Sequence, residues 1–313
     1  MKILVTGAAG YIGSITVGVL LDAGHEVLAF DDLSCGVPSL MGYGGRRRFG
    51  FVRGDVRDGA TVRAALRTSD AIIHLAAIVG MPACDRDPVR ARSVNVEAVR
   101  FLMRRLRSKE QRVIFPNTNS GYGMAPGVVC TEETPLAPLS IYARLKAEAE
   151  AIVLAEPNTV SLRLATVFGL SPRMRRDLLV NDFVWRALKE RRIEVYEGAA
   201  MRNYAHVVDV AEAFKVLLHP DGQPWGLTGV FNFGNDKANL SKKDLAAKVA
   251  GHFELDGARS VEVVEGYGAD PDKRNYIVSS AKLAAAGIKA KYGLDLGIRE
   301  LIGGYLTCPE LYA

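Results

Sequence analysis

Short apolar runs punctuate the first half of the chain, at Lys2–Val5, Val27–Phe30, Phe49–Val52, Ala71–His74, Arg112–Phe115 and Val160–Leu164. Between them, apolar residues recur at the three- and four-residue spacing of helices laid against a core. Strands that alternate with helices need right-handed crossovers, so the expected fold class is α/β, a doubly wound parallel sheet with helices on both faces. Past Gly169 the pattern changes to a basic, turn-rich stretch. Helices are expected near Asp177–Lys189, from Asp209 as N-cap of "DVAEAFKVLL", and near Ser241–His252 and Gly297–Tyr305. The run "GVFNFG" at 229–234 reads as a strand returning to the sheet. The expected organisation is therefore a sheet domain over 1–168, rejoined by 204–235, with 169–313 forming mainly a smaller C-terminal lobe.

A chain of 313 residues suits two lobes, and 49% hydrophobic with 24% charged residues is the balance of a folded protein. The longest apolar candidate, "AIIHLAAIVGMPA", is broken by His74, Gly80 and Pro82 short of the ~18 residues of a membrane helix. The N-terminus enters a strand at once without a signal-peptide pattern, so a cytoplasmic protein with no membrane partner is expected. Cys35, Cys84, Cys130 and Cys308 form no CxxC pair and are expected to be reduced; the five histidines show no HxxxH or HExxH spacing, so no metal site is expected. A net charge of +5 comes with basic clusters at 46–48, 104–107 and 173–176. No nucleic-acid motif accompanies them, so they read mostly as solvated helix faces rather than a nucleic-acid surface.

The stretch "VTGAAGYIG" sets Gly7, Gly10 and Gly13 between the first strand and a helix whose first turn holds Tyr11 and Ile12. Glycines permit a tight turn and close backbone approach, and the helix N-terminus offers N–H groups and positive potential to a pyrophosphate. Asp31, 18 residues after Gly13, closes the second strand beside Asp32, where a carboxylate accepts hydrogen bonds from an adenosine ribose and repels a 2′-phosphate. This favours NAD over NADP. Asp55 and Val56 follow the third strand, positioned for the adenine edge. Leu75, Ala76 and Ala77 end the fourth with residues that let the chain pass close to a cofactor.

"YARLK" places Tyr142 and Lys146 on one helix face. A tyrosine is a poor base at neutral pH, but a neighbouring ammonium and a nicotinamide cation both favour its phenolate. Such a pair can take a proton from a sugar hydroxyl as hydride leaves the same carbon.

With the glycine turn, Asp31, the Asp55-Val56 pair and "TNSGYG" in order, the sequence resembles the extended short-chain dehydrogenase/reductase family, in its NAD-dependent nucleotide-sugar epimerase/dehydratase branch. The resemblance implies a Rossmann domain for NAD over 1–168 and a substrate-binding lobe within 169–313. It implies that Thr118 hydrogen-bonds the reacting hydroxyl, that Tyr142 is the base, and that Lys146 lowers its pKa and holds the nicotinamide ribose. Members that eliminate water carry Asp-Glu after this threonine; here Asn119 and Ser120 stand there, and neither transfers a proton usefully near neutral pH. "RMRRDLLVNDFV" with Asn181, "RNYAHVVDVAEAF" with Arg202 and "DPDKRNYIVSSAKL" with Arg274 resemble the segments that contact a substrate diphosphate, a task suited to guanidinium groups. Gly80, in "GMPAC", and the segment 120–126 are implied to line the sugar pocket, with Cys84 as packing.

Several of these motifs are also very similar to those of GDP-manno-heptose 4-dehydrogenases of bacterial capsule pathways, which oxidise C4 and regenerate NAD with 2-oxoglutarate. The resemblance thus implies a GDP- or UDP-linked sugar as substrate and a 4-dehydrogenase or, with hydride returned to the opposite face, a 4-epimerase such as UDP-glucose 4-epimerase. Intact Thr118, Tyr142 and Lys146 argue against a non-catalytic NAD-binding regulator. The family commonly forms homodimers through paired helices, and the apolar stripes of Val89–Leu106 and Ile141–Leu154 suit either that role or the core.

Overall fold

The computed structural model describes residues 1–36, 38–107, 111–218, 226–255, 260–266 and 274–308. Its strands are β1 (Lys2–Thr6), β2 (Glu26–Asp31), β3 (Phe49–Arg53), β4 (Ala71–His74), β5 (Arg112–Thr118), β6 (Met124–Cys130), β7 (Thr159–Leu164), β8 (Thr166–Phe168), β9 (Arg192–Val195), β10 (Met201–His206), β11 (Gly229–Phe233), β12 (Asn235–Ser241), β13 (Glu262–Glu265) and β14 (Asn275–Val278). The helices are α1 (Tyr11–Asp22), α2 (Gly59–Arg67), α3 (Met81–Arg86), α4 (Pro88–Arg92), α5 (Ala98–Met103), α6 (Ile141–Leu154), α7 (Leu179–Glu190), α8 (Val207–Leu218), α9 (Lys242–Leu255), α10 (Ala281–Ala285) and α11 (Leu294–Thr307).

The central seven-stranded sheet runs β11-β7-β5-β4-β1-β2-β3, with every neighbouring pair parallel. Strands buried on both faces explain why the sequence shows continuous apolar runs rather than alternation. Ile3 and Val5 pack with Val17 and Leu20 of α1 and Phe214 of α8, while Leu4, Ile72, Val113 and Phe115 meet Leu66 of α2, Leu102 of α5 and Val153 of α6. Each such large apolar side chain contributes about 1.5–3 kcal/mol on burial. The chain lays down β1, β2 and β3 outward, then crosses back to β4 beside β1. That reversal opens a crevice beyond the carboxyl ends of β1 and β4, the place where doubly wound sheets bind ligands.

The run at 229–234 joins the sheet as β11 beside β7. Residues after β8 build a second core in which Val184 of α7, Val249 of α9, and Ile298 and Leu301 of α11 converge. Smaller sheets, β12-β10-β8, β13-β9 and β14-β6, lie around it.

One expectation changes, and one of two open alternatives gains support. Asp209 is not an N-cap: α8 starts at Val207, and the buried Asp209 carboxylate instead accepts the backbone N–H groups of Lys291 (2.9 Å) and Tyr292 (2.8 Å). The apolar stripes of 89–106 and 141–154 belong largely to the core, including Val96, Val99, Leu102, Ala149 and Val153. Their outer faces carry Arg92 and Arg100 paired with Glu148. Among the described residues no helix is long and apolar enough to cross a membrane.

Candidate active site

Beyond β1 lies a cleft of about 420 Å³ lined by Gly7, Gly10, Tyr11, Ile12, Gly13, Asp31, Asp32, Asp55, Val56, Leu75, Ala76 and Ala77 together with Ile78, Arg173, Arg175 and Asp177. The glycines are required by contact. Gly7 has φ +67°, and a Cβ there would lie 2.7 Å from the Ala76 nitrogen; at Gly13 it would lie 2.2 Å from the Gly7 carbonyl oxygen. This lets the α1 N-terminus approach the turn. Gly10 caps α1 with no side-chain hydrogen bond, so the first-turn N–H groups remain for an anion.

Asp31 accepts the backbone N–H of Ala9 at 2.9 Å and of Leu33 at 2.8 Å, and burial raises its pKa against those bonds. Its carboxylate is thereby fixed at the tip of β2, facing the cleft. Asp55 is engaged by Arg57, whose Nε donates at 2.9 Å, and that guanidinium holds the Asp55 pKa down.

Tyr142 and Lys146 lie on α6, started by Ser140, whose side chain accepts the Ala143 N–H at 3.2 Å. Lys146 is buried, donates from Nζ to the Pro116 carbonyl at 2.7 Å, and stands 3.8 Å from the centroid of the Phe115 ring. Burial pulls its pKa down to about 7, with Glu150 opposing the shift. Burial pushes Tyr142 up to about 12; Arg175 and Arg274 pull it back, while Cys84 and Tyr276 add to the rise. Thr118 ends β5, donating to Ser120 Oγ at 2.9 Å and accepting the Ser120 N–H at 3.1 Å. Asn119 is 1% exposed, and neither Oδ1 nor Nδ2 has a protein partner.

The substrate-side residues divide. Arg274 donates to Ser120 Oγ at the Thr118 corner, and Arg202 lies behind it, donating to the Arg274 carbonyl. Residues 270–273 of the "DPDKRNYIVSSAKL" segment lie outside the described residues. Asn181 does not take the diphosphate-facing position expected of it. Fully buried, its Oδ1 accepts the Gly169 N–H at 3.1 Å, and its Nδ2 donates to the Arg175 carbonyl at 2.9 Å and to Tyr11 Oη at 3.2 Å. It fixes the loop between β8 and α7. Gly80, at φ +90°, caps α3 just after Ile78 and Val79 of the cleft wall. Cys84 is fully buried, with its thiol pushed up to about 11, as suits packing.

Residues 3–233 match the model of the NAD dependent epimerase/dehydratase family. The chain belongs to this family. It is 31% identical to a UDP-glucose 4-epimerase of Mycolicibacterium smegmatis over 80% of this chain and 82% of that one. The structure of a Thermus thermophilus UDP-glucose 4-epimerase complex with NAD superposes with a TM-score of 0.79 at 28% identity, covering 98% and 99% of the two chains. MoeE5 in complex with UDP-glucuronic acid and NAD gives 0.81 at 28% identity, again covering 98% and 99%.

As a family member the protein is an NAD-dependent enzyme, and the glycine cradle, the uncapped α1 N-terminus and the Asp31 carboxylate fit that cofactor. Sequence reasoning missed the supports behind it. Asn95 accepts the Ile78 N–H at 2.8 Å and donates to the Ile78 carbonyl at 2.9 Å, pinning the cleft wall from a π-helical turn at Ser93–Glu97. Glu150, one turn beyond Lys146, accepts from Asn117 (2.6 Å), from Ser161 and from Arg163 (2.7 Å), all buried. The cluster at 173–176, one of three basic runs that read mostly as solvated faces, supplies two arginines to the cleft. Only the placement of RMRR inside a family-like segment hinted at this.

Proposed function

We propose that this enzyme oxidises C4 of a nucleotide-diphosphate sugar and performs no elimination. The observation that carries the reading is the Thr118–Asn119–Ser120 corner. It sets a hydroxyl and an amide at the end of β5, with no carboxyl group at the two positions where elimination would need an acid and a base. NAD, when bound, supplies the acceptor for the hydride that leaves C4.

The chain's own groups do the rest. Thr118 Oγ1 orients the C4 hydroxyl, and its own O–H is directed by Ser120. Tyr142, as phenolate, takes the C4 hydroxyl proton as the C–H bond breaks, so the alcohol becomes a ketone and the phenol is restored. Lys146, anchored on Pro116, stands one turn from the phenol and serves the nicotinamide ribose. Arg274 and Arg202 present guanidinium groups to the diphosphate, Gly80 and Asn119 border the sugar, and Asn181 holds the loop that closes the site.

Return of hydride to the opposite face makes the enzyme a 4-epimerase, the reading favoured by the UDP-glucose 4-epimerase relatives. Release of the ketone makes it a 4-dehydrogenase, the reading favoured by the similarity of "PNTNSGYG" and "RLATVFGLSPRMRRDLLVNDF" to the GDP-heptose enzymes. Incubation of the NAD-loaded protein with GDP- and UDP-sugars, with and without 2-oxoglutarate, separates them. Reduced nicotinamide that accumulates and is discharged by the oxo acid marks a dehydrogenase; an epimer without accumulation marks an epimerase; a 4-keto-6-deoxy product from any sugar contradicts the proposal.

A further inference from the structure

Past Ile114 the strand β5 is paired on one edge only: its ladder with β4 ends at Ile73 and Ile114, whereas β7 follows it as far as Thr118. Pro116, Asn117 and Thr118, which carry the strand into the site, therefore have half the backbone support of a central strand. Side chains supply a second hold. Lys146 Nζ donates to the Pro116 carbonyl at 2.7 Å, and in the opposite sense the buried Asn117 donates from Nδ2 to Glu150 Oε2 at 2.6 Å. These two bonds join adjacent residues of β5 to residues one turn apart on α6.

Glu150 is a fixed partner. Its carboxylate also accepts from Ser161 Oγ at 2.5 Å and from Arg163, through Nη2 at 2.7 Å and Nε at 3.2 Å, both residues of β7. Against the upward push of burial, Arg163, Ser161 and Asn117 hold its pKa below the ordinary carboxylate value. An ionised carboxylate only accepts hydrogen bonds, so the Asn117 amide serves it in one orientation, nitrogen toward Glu150. That orientation leaves Asn117 Oδ1 buried with no protein partner among the described residues. An apolar residue would avoid the unpaired oxygen, so the amide is useful at this position only through its nitrogen.

We propose that Asn117 is a positioning residue for Lys146: by tying β5 to the immobile Glu150 carboxylate it fixes the Pro116 carbonyl, and that carbonyl in turn aims the Lys146 ammonium. The inference rests on the role proposed for Lys146 at the nicotinamide ribose. It makes the grip on the nicotinamide half of NAD depend on a residue that acts through Lys146 rather than on the cofactor. The adenosine half of the site is built separately, from the glycine turn and from Asp31, which the Ala9 and Leu33 N–H groups hold.

The test is calorimetric titration of the cofactor-stripped full chain with NAD and, separately, with ADP, which has the groups for the glycine turn and Asp31 but no nicotinamide ribose. Asn117→Leu should weaken NAD by about fivefold and leave ADP unchanged. Asn117→Ser, whose hydroxyl is too short to reach Glu150, should do the same and keeps the test alive if the leucine variant fails to fold. Lys146→Met should weaken NAD at least as much, again without effect on ADP, and adding either Asn117 variant to it should weaken NAD no further, since one residue acts through the other. Unchanged NAD affinity in the folded Asn117 variants, an equal loss for NAD and ADP, or full additivity with Lys146→Met overturns the inference while leaving the role of Lys146 in place. Unchanged NAD affinity in Lys146→Met overturns that role, and this inference with it.

Discussion

Thr118 Oγ1 and Ser120 Oγ lie 2.9 Å apart, and the Ser120 N–H closes back on Thr118 Oγ1 at 3.1 Å. The same Ser120 oxygen accepts a hydrogen bond from Arg274. A serine at the position where elimination requires a carboxyl group thus connects Thr118, the proposed partner of the reacting hydroxyl, to Arg274, the proposed diphosphate contact. Thr118→Val keeps the shape and removes the hydroxyl, so kcat should fall by roughly 10²-fold with KM little changed. Ser120→Ala should cost less in kcat and raise KM, because Arg274 loses its rest position. Steady-state kinetics on the sugar found by the panel reads both.

The glycine turn makes a stronger demand. A methyl group at Gly13 would sit 2.2 Å from the Gly7 carbonyl oxygen, so Gly13→Ala must push α1 away from the turn. NAD retention should fall by at least about tenfold, equivalent to roughly 1.4 kcal/mol. Calorimetric titration of cofactor-stripped protein measures it directly.

Asp31 is held by two backbone N–H groups and faces the cleft. Asp31→Ser should weaken NAD and strengthen NADP, because it removes both the acceptor for ribose hydroxyls and the repulsion toward a 2′-phosphate. Competition between the two cofactors, read by fluorescence, gives the ratio. A ratio that stays unchanged places the adenosine ribose elsewhere.

How far the sequence reaches depends on whether a residue's role is local. The parallel sheet, the glycine turn and the shared helix face of Tyr142 and Lys146 are set by neighbours within a few positions, and runs of apolar residues and spacings expose them. Asn95 and Glu150 act on Ile78, Asn117 and Arg163, partners remote in the chain, and no local pattern marks such contacts. Asp209 shows the converse: a plausible cap was captured by the Lys291 and Tyr292 backbone, and tertiary contact overrode a local preference. Asn181 was found at the right place and given the wrong partner, since a segment match carries position but not the direction in which an amide points.

The buried Glu150–Arg163 pair, 2.7 Å apart, should be costly to break from one side. Glu150→Ala leaves a buried guanidinium without its carboxylate, a loss of about 3–5 kcal/mol, whereas replacing both by methionine should recover most of it. Hydrogen bonds and Arg163 hold the Glu150 pKa below its ordinary 4.5 despite burial. A depressed folded pKa means that this stabilisation is present above about pH 4.5 and is lost as pH falls through the lower folded value. Urea unfolding across that range follows the loss.

Lys146 obeys the opposite sign. Its pKa falls from an ordinary 10.5 to about 7, so the folded protein binds fewer protons than the unfolded chain between those values. Stability from this group is greatest at and above about pH 10.5, declines as pH falls toward 7 and is level below that. Lys146→Met should therefore abolish turnover yet raise the urea midpoint of cofactor-free protein, by more at pH 7 than at pH 10.

The central claim is that C4 is the carbon oxidised and that Tyr142 takes the proton. The most direct measurement is mass spectrometry of the nicotinamide after rapid quench of NAD-loaded enzyme mixed with its nucleotide sugar deuterated at C4. Deuterium on the reduced nicotinamide in wild type, at least about 10²-fold less in Tyr142→Phe, is the predicted result. Deuterium transferred equally in both proteins, or reduction from a C4-deuterated sugar that leaves the nicotinamide unlabelled, would contradict it.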